Sequence, residues 1–177
     1  MNEKKFEDYD DFANRANEDL GRYQLQSILN PEKLMKKNFA LKNLSWKSIA
    51  YGEENGHSKI PNKRGVYAFT VFIPSAVLPP HGYILYIGIA GRNSSRSLRE
   101  RYKDYLNVDK VIKERPRLAF AFGNWRKVTR FFFAAIGPNV TSRKLQLLEK
   151  QLNTAVIPRY AMGDIEAETK AMRRAFQ

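Results

Sequence analysis

The feature that most constrains the fold of this chain is a stretch in which an apolar run passes through a polar turn into a cationic segment. Residues 83–89 are rich in β-branched and aromatic side chains, which predicts a strand buried on at least one face. Gly91, Asn93 and Ser94 then predict a turn. From Arg96 onward, apolar residues recur at helical spacing with basic residues between them. A strand followed by a cationic helix favours an α/β unit that can hold a phosphate group.

The segments around this stretch predict a small α/β (α+β) domain with a three-stranded antiparallel or mixed sheet flanked by helices. Residues 65–73 predict the preceding strand, and residues 128–136 predict a later one. A helix interrupted at Pro116 is predicted over residues 110–126, and a longer helix over residues 141–157. The order strand, strand, helix, helix, strand, helix indicates one domain around a small sheet.

Both ends of the chain are predicted to add helices to this domain. Residues 3–29 place apolar side chains at three- and four-residue steps, which predicts a helix with an acidic face. Residues 164–176 are typical of a last short helix. The predicted division is a helical N-terminal extension, a core domain and a C-terminal helix, over residues 1–59, 60–161 and 162–177.

The charge of the chain indicates a polyanionic partner. The formal net charge is +13, yet residues 1–20 carry a net charge of −4, so the remaining 157 residues carry +17. A domain this basic favours nucleic acid, and a generic basic surface is the alternative. No apolar run reaches the length of a membrane span, the N-terminus lacks the apolar core of a signal peptide, and there is no cysteine. These features predict a cytoplasmic, intracellular protein without a membrane partner.

Glu149 is the most informative acidic residue, because it lies at the edge of an apolar stripe on its predicted helix. Leu145, Leu148 and Leu152 belong to that stripe. A carboxylate at such a boundary costs free energy unless a cation or hydrogen-bond donors compensate it. A metal ion or an arginine is one explanation, and a glutamate that reaches solvent is the other. Asn153 shares the same edge, either as a supporting amide or as a polar boundary residue.

Arg101 and two tyrosines occupy positions that allow either packing or chemistry. Arg101 lies on the side of its predicted helix that faces the strands, where it either extends to solvent or donates to a phosphate. Tyr67 and Tyr86 lie on neighbouring predicted strands, where tyrosine usually packs with its hydroxyl in water. Beside an arginine and a carboxylate, however, a polarised phenol can move a proton.

Other chemistries lack their motifs in this sequence. His57 and His81 lie in predicted loops without metal-ligand spacing, which argues against a histidine–metal site. Residues 88–93 lack the Gly-Lys-Ser/Thr ending of a nucleotide-binding loop, and no Gly-x-Ser-x-Gly sequence of a serine hydrolase is present.

Four short motifs follow one another along the chain. They are Gly65-Val66-Tyr67, then Tyr86-Ile87-Gly88, then Leu98-Arg99-Glu100-Arg101-Tyr102 with Tyr105, and finally Leu148-Glu149-Lys150-Gln151-Leu152 followed by Pro158-Arg159-Tyr160. Taken together, over about residues 60–161, this set resembles the GIY-YIG nuclease superfamily, in a small stand-alone member. The paired triplets, the arginine helix and the metal-binding helix come in the order typical of that family.

The resemblance implies a metal-dependent endonuclease that hydrolyses phosphodiester bonds, above all in DNA, as restriction, defence and mobile-element enzymes do. It implies one Mg²⁺ or Mn²⁺ ion per site, bound by Glu149. Arg101 would neutralise charge that develops on the scissile phosphate. Either Tyr67 or Tyr86 would be the general base. Tyr105 stands where relatives carry a histidine or tyrosine that supports the site.

The expected partner is double-stranded DNA. Its backbone would contact cationic side chains near the motifs, namely Arg92, Arg96, Arg99, Lys103, Arg126 and Arg143. A double-strand cut by a domain with one site needs two copies, so a homodimer is a hypothesis. A protein partner for residues 1–30 is another.

The sequence departs from the family pattern at three points, of which the last bears on activity. Residues 68–85 separate the two triplets by more than the usual hairpin, which predicts a substrate-contacting insertion. Ile89 follows Gly88 where some relatives have lysine, and Ala161 stands where the family often has asparagine. The alternative is a catalytically weakened nucleic-acid-binding module of the same type, or a regulatory interaction protein.

Overall fold

A four-stranded antiparallel sheet organises the computed structural model, which describes residues 12, 14–18, 20–25, 27–35, 38–73, 75–79, 81–92, 96–160 and 169. In chain order, its strands are β1 (Lys47–Ala50), β2 (Gly65–Phe72), β3 (Gly82–Ala90) and β4 (Thr129–Ala135). In space they follow the order β1-β4-β2-β3. Strands β2 and β3 form an antiparallel hairpin, and β4 pairs with the other edge of β2.

The sheet has one strand more than the three that the sequence predicts. The additional strand, β1, lies within residues 1–59, the segment predicted as a helical extension. It pairs antiparallel with β4, with Ile49 opposite Phe131. Four residues are too few for a period-2 pattern to distinguish a strand from a partly buried loop. The strand forms because β4 offers it an open edge, which is a tertiary effect.

Besides helical residues 14–18, the described part has the α-helices α1 (Pro31–Met35), α2 (Leu98–Leu106), α3 (Val108–Glu114), α4 (Pro116–Trp125) and α5 (Ser142–Val156). The predicted interruption at Pro116 is present, because proline tolerates the first helical position but not the interior of a helix. Helix α2 begins with a capping box, in which Ser97 and Glu100 exchange side-chain and backbone hydrogen bonds. Helix α5 begins after Thr141, whose side chain accepts from the backbone of Lys144 at 3.2 Å.

Alternation along the strands divides the core into two layers. We call one side of the sheet the aromatic face; it packs against α2, α3 and α4 and carries Tyr67, Phe69, Phe131 and Phe133. We call the other side the aliphatic face; it packs against α5 and carries Val66, Ala68, Ile87, Ile89 and Ala134. Helices α2 and α5 therefore lie on opposite faces of the sheet.

An irregularity in the hairpin brings an additional side chain to the aromatic face. Phe69 pairs with Tyr86 and Thr70 pairs with Ile84, so Leu85 has no partner on β2. Leu85 and Tyr86 both pack in the aromatic-face cluster, although neighbouring residues of a regular strand point to opposite faces. The bulge thus lets Leu85 fill the core beside Tyr86.

The chain passes round the outer edge of β3 after α5. The backbone N–H of Tyr160 donates to the carbonyl of Leu85 at 3.2 Å. The Tyr160 side chain then packs against the aromatic-face cluster, although α5 packs on the other face. The end of α5 and the bulge of β3 are therefore tied together at this edge.

The terminal segments depart from their predicted helices or lie outside the described residues. Residues 14–18 are helical, but the helix predicted over 3–29 does not continue to its end: Gly21–Tyr23 is a 3₁₀ turn and an irregular segment follows. The backbone N–H of Asn30 donates to Ala155 on α5 at 2.8 Å, so tertiary contact replaces helical pairing there. Residues 1–11, 13, 19 and 26, Ala161 and, apart from Thr169, the predicted C-terminal helix lie outside the described residues. No described helix is both long and apolar enough to cross a membrane.

Candidate active site

Three tyrosines and one arginine meet on the aromatic face of the sheet. The hydroxyls of Tyr67 on β2 and Tyr105 on α2 share a hydrogen bond of 2.9 Å. Nη1 of Arg115 donates to the Tyr105 hydroxyl at 2.8 Å and to the Tyr86 hydroxyl at 3.1 Å. The guanidinium also lies 5.1 Å from the ring centroid of Tyr105 and 5.5 Å from that of Tyr86. We call these four residues the tyrosine cluster.

Two glycines of the motif triplets provide the space that the cluster needs. A Cβ at Gly88 would lie 2.6 Å from the hydroxyl oxygen of Tyr67, so that ring covers a strand position without a side chain. A Cβ at Gly65 would lie 2.3 Å from the carbonyl oxygen of Ala134 and 2.7 Å from Cδ1 of Leu98. Glycine at these two positions thus lets Tyr67 lie over β3 and Leu98 lie against β2, where any other side chain would obstruct them.

The segment that follows β1 holds α2 in position beside the cluster. Tyr51 donates its hydroxyl to the carbonyl of Tyr105 at 2.6 Å, and the backbone N–H of Gly52 donates to the Tyr102 hydroxyl at 3.0 Å. Burial raises the pKa of Tyr51 to about 12, which keeps this donor protonated at neutral pH. The turn that follows β1 therefore helps to orient Tyr105, a predicted site residue.

Burial distinguishes the three tyrosines from one another. Tyr67 and Tyr105 are 2% and 3% exposed, whereas Tyr86 is only partly buried. Burial raises the pKa of Tyr67 well above the usual range of a phenol, and it does the same for Tyr105. Tyr86 is therefore the phenol of the cluster that solvent reaches.

Arg115 is a residue of the site that the sequence analysis missed. The neighbouring phenols of Tyr105 and Tyr86 raise the pKa of Arg115 by more than burial lowers it, so its pKa lies above the usual value. The cluster therefore contains a permanent cation. The available signal was local: Arg115 separates α3 from α4 and precedes Pro116, and its backbone is not helical, with φ −143° and ψ 56°. A charged residue at a helix break is directed away from both helix surfaces, but only the fold reveals its target.

Arg101 lies at the border of the cluster, on the same helix as Tyr105. Its charge lowers the pKa of Tyr67, a smaller effect than the rise that burial causes. Nε of Arg101 is buried and has no hydrogen-bond partner among the described residues. It faces a small cleft between α2 and α3, with a charged lining of Arg96, Arg101, Asp104, Lys110, Glu114 and Arg115.

The charges of this cleft favour an anion. Asp104 pairs with Arg96 and, at 3.0 Å, with Lys110, so one carboxylate serves two cations. Within the described part of the chain, neither Arg101 nor Arg115 pairs with a carboxylate. Two guanidinium groups thus remain available to an anionic ligand beside the phenols.

Glu149 and Asn153 lie one turn apart on a flank of α5. They are 5% and 2% exposed, and Oδ1 of Asn153 has no hydrogen-bond partner among the described residues. A carboxylate and an amide oxygen are ligands that Mg²⁺ accepts, so this pair fits part of a magnesium site. The searched, described residues contain no group of three or more His, Cys, Asp or Glu side chains that could hold a metal ion.

The predicted site residues are carried by elements on both faces of the sheet. Tyr67, Tyr86 and Tyr105 lie together, and Arg101 lies beside them on the aromatic face. Glu149 belongs to α5, which packs its leucines on the aliphatic face. Residues that the sequence places in one motif set are therefore carried by helices on opposite sides of the sheet.

Two of the predicted nucleic-acid contacts already have partners within the protein. Arg96 pairs with Asp104. Nε of Arg99 donates to the carbonyl of Ile60 at 2.8 Å, which ties α2 to the loop before β2. These two arginines have a structural task whether or not they also touch a ligand.

The other four predicted contacts differ in exposure. Lys103, Arg126 and Arg143 are exposed, on α2, after α4 and on α5 respectively. Arg92 follows β3 and is partly buried, with an Nε that has no hydrogen-bond partner among the described residues. The three exposed side chains are the ones free to follow a phosphate backbone.

Comparison of the chain with protein-family models, with curated proteins and with solved structures gave no match. The chemistry of the site is therefore inferred from its own residues. Three phenols, two guanidinium groups and a cleft that favours anions can bind a phosphate and move a proton.

Proposed function

We propose that this chain is a metal-dependent endonuclease that hydrolyses phosphodiester bonds in DNA. The observation that supports this most is the tyrosine cluster, in which three phenols and Arg115 are joined beside the unpaired guanidinium of Arg101. Hydrolysis of a phosphodiester needs a base for the attacking water and cations for the negative charge that develops on phosphorus oxygens. This face of the sheet offers both.

Tyr86 is the general base in this proposal. A phenol accepts a proton only after losing its own, and loss of a proton is opposed where the phenolate would be desolvated. Tyr67 and Tyr105 are almost fully buried, and burial raises the pKa of each. Tyr86 is partly exposed, so water and substrate can reach its hydroxyl.

Arg101 supplies the charge complement of the scissile phosphate. Its Nε lies buried without a partner, and removing a guanidinium from water without compensation is costly. A phosphate oxygen at this position would satisfy that donor. Because guanidinium–phosphate hydrogen bonds strengthen as negative charge grows, the gain is larger in the transition state than in the ground state.

Glu149 and Asn153 are the residues that would hold the proposed Mg²⁺ or Mn²⁺ ion. When bound, such an ion supplies Lewis-acid stabilisation of the leaving oxygen. The free Oδ1 of Asn153 supports this assignment, since a buried acceptor without a donor is energetically unfavourable.

A catalytically weakened nucleic-acid-binding module is the second candidate. It is favoured by one observation: α5, which carries Glu149, packs on the face opposite the tyrosine cluster. In that case, the cleft and the exposed cations Lys103, Arg126 and Arg143 would bind a phosphate backbone without cutting it. The two candidates share a ligand and differ only in reaction.

Plasmid cleavage separates them. Supercoiled DNA is incubated with Mg²⁺ or Mn²⁺ and the wild type, Glu149→Gln or Tyr86→Phe. We expect wild-type nicking or linearisation and a loss of at least about 10²-fold in each variant, because each removes a group that acts on the reacting atoms. The matched controls are Glu54→Gln and Tyr83→Phe, which change exposed residues outside the site and should retain activity.

The second candidate predicts a different pattern. The wild type and all variants would leave the plasmid intact with either metal. All of them would nevertheless bind DNA, with an affinity that falls steeply as the salt concentration rises. Absence of both cleavage and salt-dependent binding would exclude both functions.

A further inference from the structure

We propose that Arg115 is a positioning residue that lets the tyrosine cluster carry one negative charge, on Tyr86. This inference rests on the proposed function, because it describes how the general base of that reaction is prepared. Arg115 belongs to none of the motifs in the sequence. Its role is inferred from its contacts.

One nitrogen of Arg115 contacts two phenol oxygens. Nη1 donates to Tyr105 at 2.8 Å and to Tyr86 at 3.1 Å, and a guanidinium nitrogen of this type has two hydrogens to give. The cation therefore faces both oxygens at once. A hydrogen bond from a cation to an oxygen is stronger when that oxygen is charged, so Arg115 stabilises a phenolate at this point.

The surroundings select the phenol that carries the charge. Burial raises the pKa of Tyr67, and the neighbouring Tyr86 raises it further. Burial likewise raises the pKa of Tyr105, with added contributions from Tyr67 and Tyr86. Two adjacent phenolates would repel each other, and the two buried positions disfavour any charge. The phenol that contacts both Arg115 and solvent is Tyr86.

The backbone directs the Arg115 side chain toward the cluster. Its N–H donates to the carbonyl of Val111 on α3 at 2.8 Å, and its own carbonyl accepts from Leu118 and Ala119 on α4 at 2.9 and 3.0 Å. The residue is thus held from both sides at the junction of two helices. Because its backbone is already ordered, only the side chain of Arg115 loses conformational freedom when the guanidinium holds its two partners.

The proton transfer that follows is balanced without an additional reactant. As the water oxygen forms its bond to phosphorus, the bond between phosphorus and the leaving oxygen breaks, and the water proton moves to the phenolate oxygen of Tyr86. The leaving oxygen takes a proton from solvent, and Tyr86 releases its proton to solvent before the next turnover. Arg115 stays protonated throughout.

The first test needs no substrate. Tyrosinate absorbance is measured against pH in the wild type and in Tyr86→Phe, and the difference between the two curves gives the ionisation step of Tyr86. The same difference is then taken between Arg115→Met and the Arg115→Met/Tyr86→Phe double variant. We expect the Tyr86 step to move to higher pH without Arg115, and to move less in Arg115→Lys, which keeps the charge. An unchanged step in Arg115→Met would overturn the proposal.

The matched control is Lys113→Met, which removes an exposed cation two residues away and should leave the Tyr86 step in place. If Arg115→Met fails to fold, Arg115→Lys alone decides, because its lysine cannot reproduce the shared hydrogen bonds. A step that coincides with the wild type in Arg115→Lys would then count against the role of the guanidinium.

The second test uses cleavage. In Arg115→Met we expect kcat to fall about 10²-fold with little change in KM, and the acidic limb of the pH–rate profile to move to higher pH. A merely structural role would lower the rate equally at every pH, and that result would overturn the proposal. If the wild type does not cleave DNA, the proposed nuclease function fails, and the absorbance titration still decides the role of Arg115.

Discussion

The two faces of one sheet differ in what they bury. The aliphatic face packs Leu145 and Leu148 of α5 against branched side chains, and this layer contains almost only carbon. The aromatic face packs an equally dense layer, but several of its rings end in hydroxyls that bond to one another and to Arg115. Both faces come from the same strands, residue by residue in alternation.

The difference shows how a small domain can keep polar chemistry inside a core. A tyrosine ring contributes apolar area along its length, while its hydroxyl needs only one or two partners. Three tyrosines that share hydrogen-bond partners therefore satisfy each other's hydroxyls at a low cost in desolvation free energy. Helix α5, which packs on the aliphatic face, carries Glu149 and Asn153 as buried polar side chains.

The largest expected effect comes from removing a cation on the aromatic face. Arg101→Ala should lower kcat about 10³-fold, equivalent to about 4 kcal/mol of transition-state stabilisation, because it deletes the donor for the developing phosphate charge. Its stability should change little, since the buried Nε has no protein partner to lose. Single-turnover cleavage measures the first effect and urea unfolding the second. A variant that cuts at the wild-type rate would remove Arg101 from the reaction.

Shortening a leucine on the aliphatic face should lower stability and leave kcat unchanged, the reverse of the effects expected for Arg101→Ala. Leu148 is 1% exposed, and Leu148→Ala should lower the free energy of unfolding by about 3 kcal/mol through lost transfer energy and the cavity that remains. The folded fraction should keep its kcat, because α5 contributes packing at this position. Urea unfolding combined with cleavage below the unfolding transition checks this. A large loss of kcat would show that the packing of Leu148 also positions Glu149, its neighbour on α5.

Filling the space under the cluster should affect both stability and activity. A Cβ at Gly88 would lie 2.6 Å from the Tyr67 hydroxyl and 2.9 Å from Cε1 of Tyr86, so Gly88→Ala must displace both rings. We expect about 2 kcal/mol of destabilisation and a loss of cleavage. Gly123→Ala on α4 is the matched control: no atom lies within 4 Å of the added Cβ, so stability should stay equal or rise slightly. Wild-type thermal stability in Gly88→Ala would contradict the close contact.

The elements with strong local signals could be predicted from the sequence. The β2–β3 hairpin and β4 are long apolar runs, α5 has both a periodic stripe and the Thr141 cap, and Pro116 breaks the helix where a proline must. These signals depend on neighbours within a few residues. The grouping of Tyr67, Tyr86 and Tyr105 could also be expected, once the motifs were taken as a set.

The features that could not be predicted depend on distant residues. Strand β1 exists because β4 leaves an edge open, and its four residues carry no pattern of their own. The stripe of α5 indicates that the helix packs on a sheet but not on which face, so its position on the face opposite α2 was not foreseeable. Arg115 joins the cluster across a turn between helices, ten residues after its partner Tyr105.

The smallest expected effect is the response of the aromatic face to alkaline pH. Burial raises the pKa of Tyr67 and Tyr105 above the unfolded value near 10, so the folded state binds these protons more tightly than the unfolded state. The stability that these two protons contribute is fully present below the unfolded pKa near 10 and is lost as the pH rises beyond it. Each buried phenol should cost on the order of 1 kcal/mol at about pH 10.5.

Urea midpoints measured between about pH 8 and pH 10.5 test this response. Tyr67→Phe should flatten the decline of stability with pH, because one of the two coupled protons is gone. Leu148→Ala should lower stability by the same amount at every pH, since the aliphatic face contributes no phenol to the equilibrium. If Leu148→Ala changed the slope as much as Tyr67→Phe does, the alkaline loss would reflect the general charge of the protein, and the polar character of the aromatic face would not be its cause.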